Sequence, residues 1–338
     1  THCISSAASD VYKRQMINRC CVIKKCHSSR LPAKIWHMIV NDQKPAMSGN
    51  EHRYVLTLDC PDRVGIVAEI SKFLADVGGW ILEAAYHADP VSGWFHTRQA
   101  VLASSVDMSY DELKKRWIEM AQQIGPDAHA QVTDTAILKR GVILVSKQGH
   151  CLHDLMGRIH HGDYPMDVAC IVSNHPDMKP VADYYGIPYH YVPFGPGEQG
   201  KREAFDVIAN IVDAEEPDVI VLARFMQILP PDLCERWEGR CINIHHSFLP
   251  SFMGARPYGQ AYKRGVKLVG ATCHFVTSDL DNGPIIEQDV QRVSHADTEK
   301  DMVRKGRDIE QLVLARGLRW FLEDRVQVHN HRTVIFGS

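Results

Sequence analysis

The chain has 338 residues, of which 45% are apolar and 23% charged, with 38 basic against 41 acidic side chains. A net charge of −3 offers no basic excess for holding nucleic acid, and no uninterrupted apolar stretch reaches the ~18 residues a membrane helix needs. The length suits two domains, and the cysteines from Cys60 onward are solitary, without CxxC spacing. Most of them are expected to be small buried hydrophobes in a reducing compartment, the cytoplasm, rather than a disulfide framework.

Residues 1–48 do not resemble the rest of the chain. Neither helical nor strand periodicity is sustained, and Cys20, Cys21, Cys26 and His27 fit no standard zinc spacing. The apolar run from Cys20 to Ile23 is too short for a signal-peptide core. The segment SAASDVYKRQ (6–15) resembles translated sequencing-adapter sequence. We expect residues 1–48 to be a non-native or disordered extension, of which residues 1–46 are an artefact of gene calling that precedes the true start at Met47.

Residues 51–134 read as a first domain. YVLTL (54–58) is a strand ended by the Asp59-Cys60-Pro61-Asp62 turn cluster. From Val64 to Val77, helical spacing places Ile66, Ile70, Phe73, Leu74 and Val77 on one face, and Gly78-Gly79 stops the helix. WILEAAYH (80–87) and Trp94–Leu102 are strands joined by a turn over 89–93. Tyr110–Ile124 is a second amphipathic helix, and a short fourth strand begins at Ala130. The order βαββαβ is the ferredoxin-like plan.

A brief linker leads to a second domain at 139–330, where strands and helices alternate. Strands are expected at Val142–Val145, Asp167–Val172, Tyr189–Val192, Val219–Leu222 and Cys241–Ile244. Helices are expected at 151–161, 178–185 and 201–214, and a further one over 258–263. Val269–Val276 and Ile285–Val293 are later strands, and Asp297-Thr298-Glu299 opens a long terminal helix. The bare apolar strands and the alternation predict an α/β, doubly wound, mostly parallel sheet of Rossmann-like form. Ligands in such sheets sit past the strand ends near the point where the winding reverses, which directs attention to the residues after Leu222 and Ile244.

Asn243 and His245 are two apart on a strand and so face the same way. An amide there can donate to a developing oxyanion, and an imidazole can move protons near neutral pH. Asp281, in a later loop, can orient that imidazole and help activate water. Each residue alone also has an ordinary structural reading, as a hydrogen-bonded strand-end histidine or a turn aspartate. The His245-His246 pair does not argue for a metal, since consecutive strand residues point to opposite faces.

The surrounding motifs decide between these readings. NIHHSFLP (243–250) followed by HFVTSDLDNGPIIEQ (274–288) resembles the folate-dependent formyltransferase and hydrolase superfamily. By that likeness Asn243, His245 and Asp281 match the family's catalytic trio. LARFMQIL (222–229) is similar to the segment that cups the pterin ring, implicating Phe225, Met226, Gln227, Ile228 and Leu229. Asp279, Leu280 and Asn282 fall in the loop over that pocket. DRVGIVA (62–68) resembles the ligand loop of ACT regulatory domains, pointing to Asp62, Gly65 and Ile66 as an amino-acid effector site. Glycine at Gly65 lets a ligand approach the backbone, although a plain turn glycine would look the same.

Within the superfamily, glycinamide ribonucleotide formyltransferases carry a Gly-Ser-Asn-type phosphate loop, whereas this chain has SKQGHCLH (146–153). Methionyl-tRNA formyltransferases add a C-terminal RNA-binding domain. Formyltetrahydrofolate deformylases join an N-terminal ACT domain to this catalytic domain and carry His-His-Ser-Phe-Leu-Pro where transferases usually have His-Pro-Ser-Leu-Leu-Pro. The whole span 51–330 fits that family. The resemblance implies hydrolysis of 10-formyltetrahydrofolate to formate and tetrahydrofolate, supplying formate for purine synthesis and balancing the one-carbon folate pools. It also implies a homo-oligomer and no cofactor beyond the folate substrate, while residue spacing, charge and the short apolar runs give the expectation of no metal, no nucleic acid and no membrane. A formyltransferase with another acceptor and a non-catalytic folate or amino-acid sensor are the alternatives.

Overall fold

The computed structural model describes residues 52–251 and 257–337. The expectations for residues 1–48 therefore lie outside the described residues. The described strands of the first segment are β1 (Arg53–Pro61), β2 (Ile81–Asp89), β3 (Trp94–Leu102) and β4 (His129–Asp134), with helices α1 (Ile66–Asp76) and α2 (Tyr110–Ile124). They form the expected βαββαβ order, as an antiparallel sheet arranged β2-β3-β1-β4. Leu56 and Leu58 alternate along β1 into a core with Ile70, Leu74, Leu113 and Trp117.

One boundary differs from expectation. The turn foreseen at 59–62 is strand as far as Pro61. Asp62 N–H donates to Gly93 O across the antiparallel β1–β3 pair, at 2.8 Å, so the alternate nitrogen, that of Pro61, faces the other side of β1. There β4 has already ended opposite Asp59, and the missing N–H costs no ladder bond.

The second segment is a seven-stranded sheet. Its strands are β5 (Lys139–Val145), β6 (Met166–Ser173), β7 (Tyr189–Tyr191), β8 (Val219–Leu222), β9 (Cys241–His245), β10 (Leu268–Phe275) and β11 (Ile285–Arg292). They lie in the order β11-β10-β9-β8-β5-β6-β7. The neighbours from β9 to β7 pair in parallel, while β10 runs antiparallel to both β9 and β11. Helices α3 (His150–His160), α4 (Lys179–Tyr185), α5 (Gly197–Ala214), α6 (Pro231–Arg236), α7 (Pro257–Arg264) and α8 (Glu299–Leu322) complete this segment. Side chains of β5 divide between two cores: Ile143 and Val145 with α3 and α8, Val142 and Leu144 with α5 and α6. Two buried faces explain the bare apolar run.

Helix α5 starts at Gly197, before the expected Lys201. A Cβ on Gly200 would meet the Gly195 backbone at 2.5 Å, so glycine is retained for close chain approach at some cost in helix propensity. Helix α6 was not foreseen, because six residues show no periodicity; its signal was Pro231 at the first turn. A hairpin of β12 (Val326–His329) and β13 (Arg332–Ile335) carries the fold past position 330. It meets the first sheet, where Gln327 Nε2 donates to Thr97 O at 2.8 Å and Arg325 Nη1 to Glu83 Oε1 at 2.8 Å.

Candidate active site

A cavity of about 490 Å³ opens across the carboxyl ends of β8 and β9. Asn243, His245 and Asp281 all line it, as do Phe225, Met226, Gln227, Ile228, Leu229 and Leu280. Asp279 and Asn282 are exposed and are not among the lining residues. Asp279 instead shapes the loop, its carbonyl accepting from Thr277 Oγ1 at 3.0 Å and from Asn282 N–H at 3.2 Å.

The apolar residues after β8 divide by burial. Phe225 and Leu229 are 5% and 7% exposed and belong to the core beneath the cavity. Met226 and Ile228 are 52% and 69% exposed, leaving apolar surface that a flat ring can cover. The irregular backbone here is tied back to β5, because Met226 N–H donates to Ser146 Oγ at 3.0 Å.

The antiparallel register of β9 on β10 sets His274 opposite Asn243 and Thr272 opposite His245. Asp281 enters from the turn between β10 and β11 at φ 56°. Its Oδ1 lies 3.1 Å from His245 Nδ1 and 4.0 Å from His274 Nε2. A carboxylate only accepts, so the His245 proton is assigned to Nδ1. His245 Nε2 is buried and has no hydrogen-bond partner among the described residues, which leaves it available as a base.

His274 was not singled out from sequence, yet it organises Asn243. Its Nδ1 donates to Phe275 O at 2.8 Å, so Nε2 accepts from Asn243 Nδ2 at 3.2 Å. This fixes the amide rotamer and leaves its second N–H for a ligand. Burial holds His274 below the usual histidine range, consistent with that neutral tautomer. Burial pushes the Asp281 carboxyl up, but the hydrogen bond and charge of His245, aided by His274 and His246, outweigh it and leave the carboxyl below its ordinary value. His246, also lining the cavity, is pushed down to about 4 by burial and by the Arg224 charge.

A second polar cluster adjoins the cavity. Glu310, 1% exposed, accepts from Tyr258 Oη at 2.6 Å and His150 Nε2 at 2.7 Å, with Arg224 Nε at 3.3 Å. Burial opposes its charge, but His150, Arg224 and Tyr258 outweigh that and lower the Glu310 pKa. Among the described residues, His150, Cys151 and Glu310 are the one group spaced to share a metal ion. Burial raises the Cys151 thiol, disfavouring the thiolate a metal needs, and Arg224 already supplies the cation. Arg224 too was missed, although it is the one charge in the run VIVLARFMQIL (219–229).

In the first segment, Gly65 has φ 100°, and a Cβ there would meet nothing closer than 3.9 Å. Backbone conformation rather than space is thus the reason for glycine. Asp62 is exposed, while the Ile66 side chain is 1% exposed in the core.

Residues 139–318 match the formyl transferase family. The chain is 42% identical over 289 residues to a formyltetrahydrofolate deformylase of Bacillus subtilis, covering 85% of this chain and 95% of that protein. The crystal structure of a formyltetrahydrofolate deformylase from Pseudomonas syringae pv. tomato superposes with a TM-score of 0.82 at 47% identity, covering 90% of this chain and 99% of that one. A phosphoribosylglycinamide formyltransferase from Anaplasma phagocytophilum is more distant, with a TM-score of 0.54 at 30% identity over 60% of this chain and 96% of its own. The likeness to deformylases runs through both segments, whereas the transferase likeness covers a smaller share of the chain, and so this chain belongs to the formyltetrahydrofolate deformylase family.

Proposed function

We propose that the protein hydrolyses 10-formyltetrahydrofolate to formate and tetrahydrofolate, using Asn243, His245 and Asp281. The observation that carries this reading is the 3.1 Å contact of Asp281 with His245 Nδ1, beside an unpartnered Nε2. Asp281 orients the imidazole, and Nε2 removes a proton from water as its oxygen attacks the formyl carbon. The free N–H of Asn243 and the imidazolium then stabilise the oxyanion. Collapse breaks the bond to N10, which leaves with the proton that His245 returns. Met226, Ile228 and Leu280 cover the pterin, with Phe225 and Leu229 supporting them from the core and Gln227 beside them at the wall.

Residues 51–134 act in this proposal as an ACT regulatory domain, with an amino-acid effector near Asp62, Gly65 and the backbone of Ile66. A cytoplasmic homo-oligomer without nucleic-acid or membrane partner completes the reading, with released formate feeding purine synthesis. The test is an assay of purified protein with 10-formyltetrahydrofolate and no acceptor. Stoichiometric formate and tetrahydrofolate, abolished by Asp281→Asn, are expected; tight folate binding without formate would defeat the proposal.

A further inference from the structure

In an open parallel sheet, ligands enter at the carboxyl ends of the strands where the winding reverses. Here the reversal lies between β5 and β8, because β6 and β7 extend the sheet one way from β5 and β8 and β9 the other. That crevice is bridged. Arg224, 6% exposed, donates from Nη2 to Gln148 Oε1 in the loop after β5, at 3.2 Å. Its Nε lies 3.3 Å from Glu310, which Tyr258 and His150 brace from the other sides. Arg224 lines the cavity, whereas Gln148 and His150 do not. The guanidinium is therefore the wall between the cavity and the loop after β5.

This wall is costly in two ways. A buried ion pair must repay the desolvation of both charges, and an apolar side chain would fill the same space more cheaply. Arg224 also adopts φ 64°, a conformation uncommon for any residue but glycine. Such costs concentrate where function requires them.

We infer that Arg224 determines the acceptor: by closing the crevice it leaves room at the formyl carbon for water and excludes amine nucleophiles. The inference rests on the hydrolase reading above. An amine would form its own bond to the formyl carbon, break the bond to N10 and pass its proton through His245 to N10, as water does. Size alone separates the two.

The test is a partition experiment with the full chain, 10-formyltetrahydrofolate and either hydroxylamine or glycinamide, measuring N-formyl product against formate. The native enzyme gives formate. Arg224→Ala combined with Glu310→Gln removes the cation together with its buried counter-charge, and should raise the ratio of N-formyl product to formate by about tenfold or more, the scale of discrimination by pocket size. Arg224→Met with Glu310→Gln keeps the bulk and should keep the native ratio. If the alanine combination fails to fold, Gln148→Ala loosens the guanidinium without stranding a charge, and the same rise is expected. A native ratio in the folded, open variants overturns the inference, as does a methionine variant that partitions like the alanine one. A native enzyme that formylates the amines, and releases no formate in water alone, overturns the hydrolase reading as well; formate release in water alone separates the two failures.

Discussion

Gly283 stands two residues beyond Asp281, and replacing it by alanine should disable the site without touching any catalytic side chain. A Cβ there would meet Phe275 O at 1.8 Å and His274 Nδ1 at 3.4 Å. Ordinary Cβ contacts begin near 3.4 Å, so the turn or the strand must yield by more than about 1 Å. The same Phe275 carbonyl holds His274 Nδ1, and Phe275 N–H anchors the turn through Pro284 O at 2.9 Å. A displacement of this size takes Asp281 beyond hydrogen-bond range of His245. Misplacement by 1 Å costs about 100-fold in rate, or about 2.7 kcal/mol of barrier, in addition to ~1–3 kcal/mol of stability from overpacking. Gly317→Ala is the control: its Cβ meets Cys273 Sγ at 2.5 Å, straining α8 against β10 but not the turn. Formate release at saturating substrate, well below both melting temperatures, should fall about 100-fold in Gly283→Ala and stay near native in Gly317→Ala. Native turnover in Gly283→Ala, or equal losses in both, would mean that this turn does not position Asp281.

Asn243→Ala removes the oxyanion donor and should lower turnover about 100-fold or more, ~3 kcal/mol, with little change in KM; a normal kcat would remove Asn243 from the mechanism. For His246 the folded pKa of about 4 lies below the unfolded ~6.5. Its neutral form therefore stabilises the fold above about pH 6.5, and that contribution, about 3 kcal/mol, is lost as pH falls toward 4. Urea midpoints of His246→Gln should be flatter than native across this window, and parallel curves would contradict the assignment. Arg98, with its side chain 5% exposed, pairs with Glu83 and donates to Glu323 O. Arg98→Ala takes both guanidinium donors from Glu323 O and leaves Glu83 with Arg325 alone, and should cost on the order of 1–3 kcal/mol by denaturant unfolding; no measurable loss would mean that water replaces the lost contacts.

The parts of the fold that were legible in sequence are those with one dominant cause. Val219–Leu222 was read without error because all four residues are buried, and Tyr110–Ile124 because its apolar stripe is opened by the Ser109 cap. Pro61 and the glycines of α5 misled the reading, because whether they break an element depends on which side a neighbouring strand or chain lies. In the site, spacing put Asn243 and His245 on one side of a strand and the motif NIHHSFLP (243–250) singled them out, but the pairing of His245 with Asp281 depends on a turn folding back over β10. His274 was hidden because its meeting with Asn243 is a matter of strand register. Phe225 and Ile228 read alike as apolar letters, and only burial separates the core residue from the exposed one.

The central claim, that water bound beside His245 attacks the formyl carbon, is tested most directly by a single turnover of 10-formyltetrahydrofolate in oxygen-18 water, with the formate analysed by mass spectrometry. Attack by water predicts one labelled oxygen in each formate, with tetrahydrofolate formed in equal amount. Unlabelled formate, or formyl groups leaving tetrahydrofolate without appearing as formate, would contradict it.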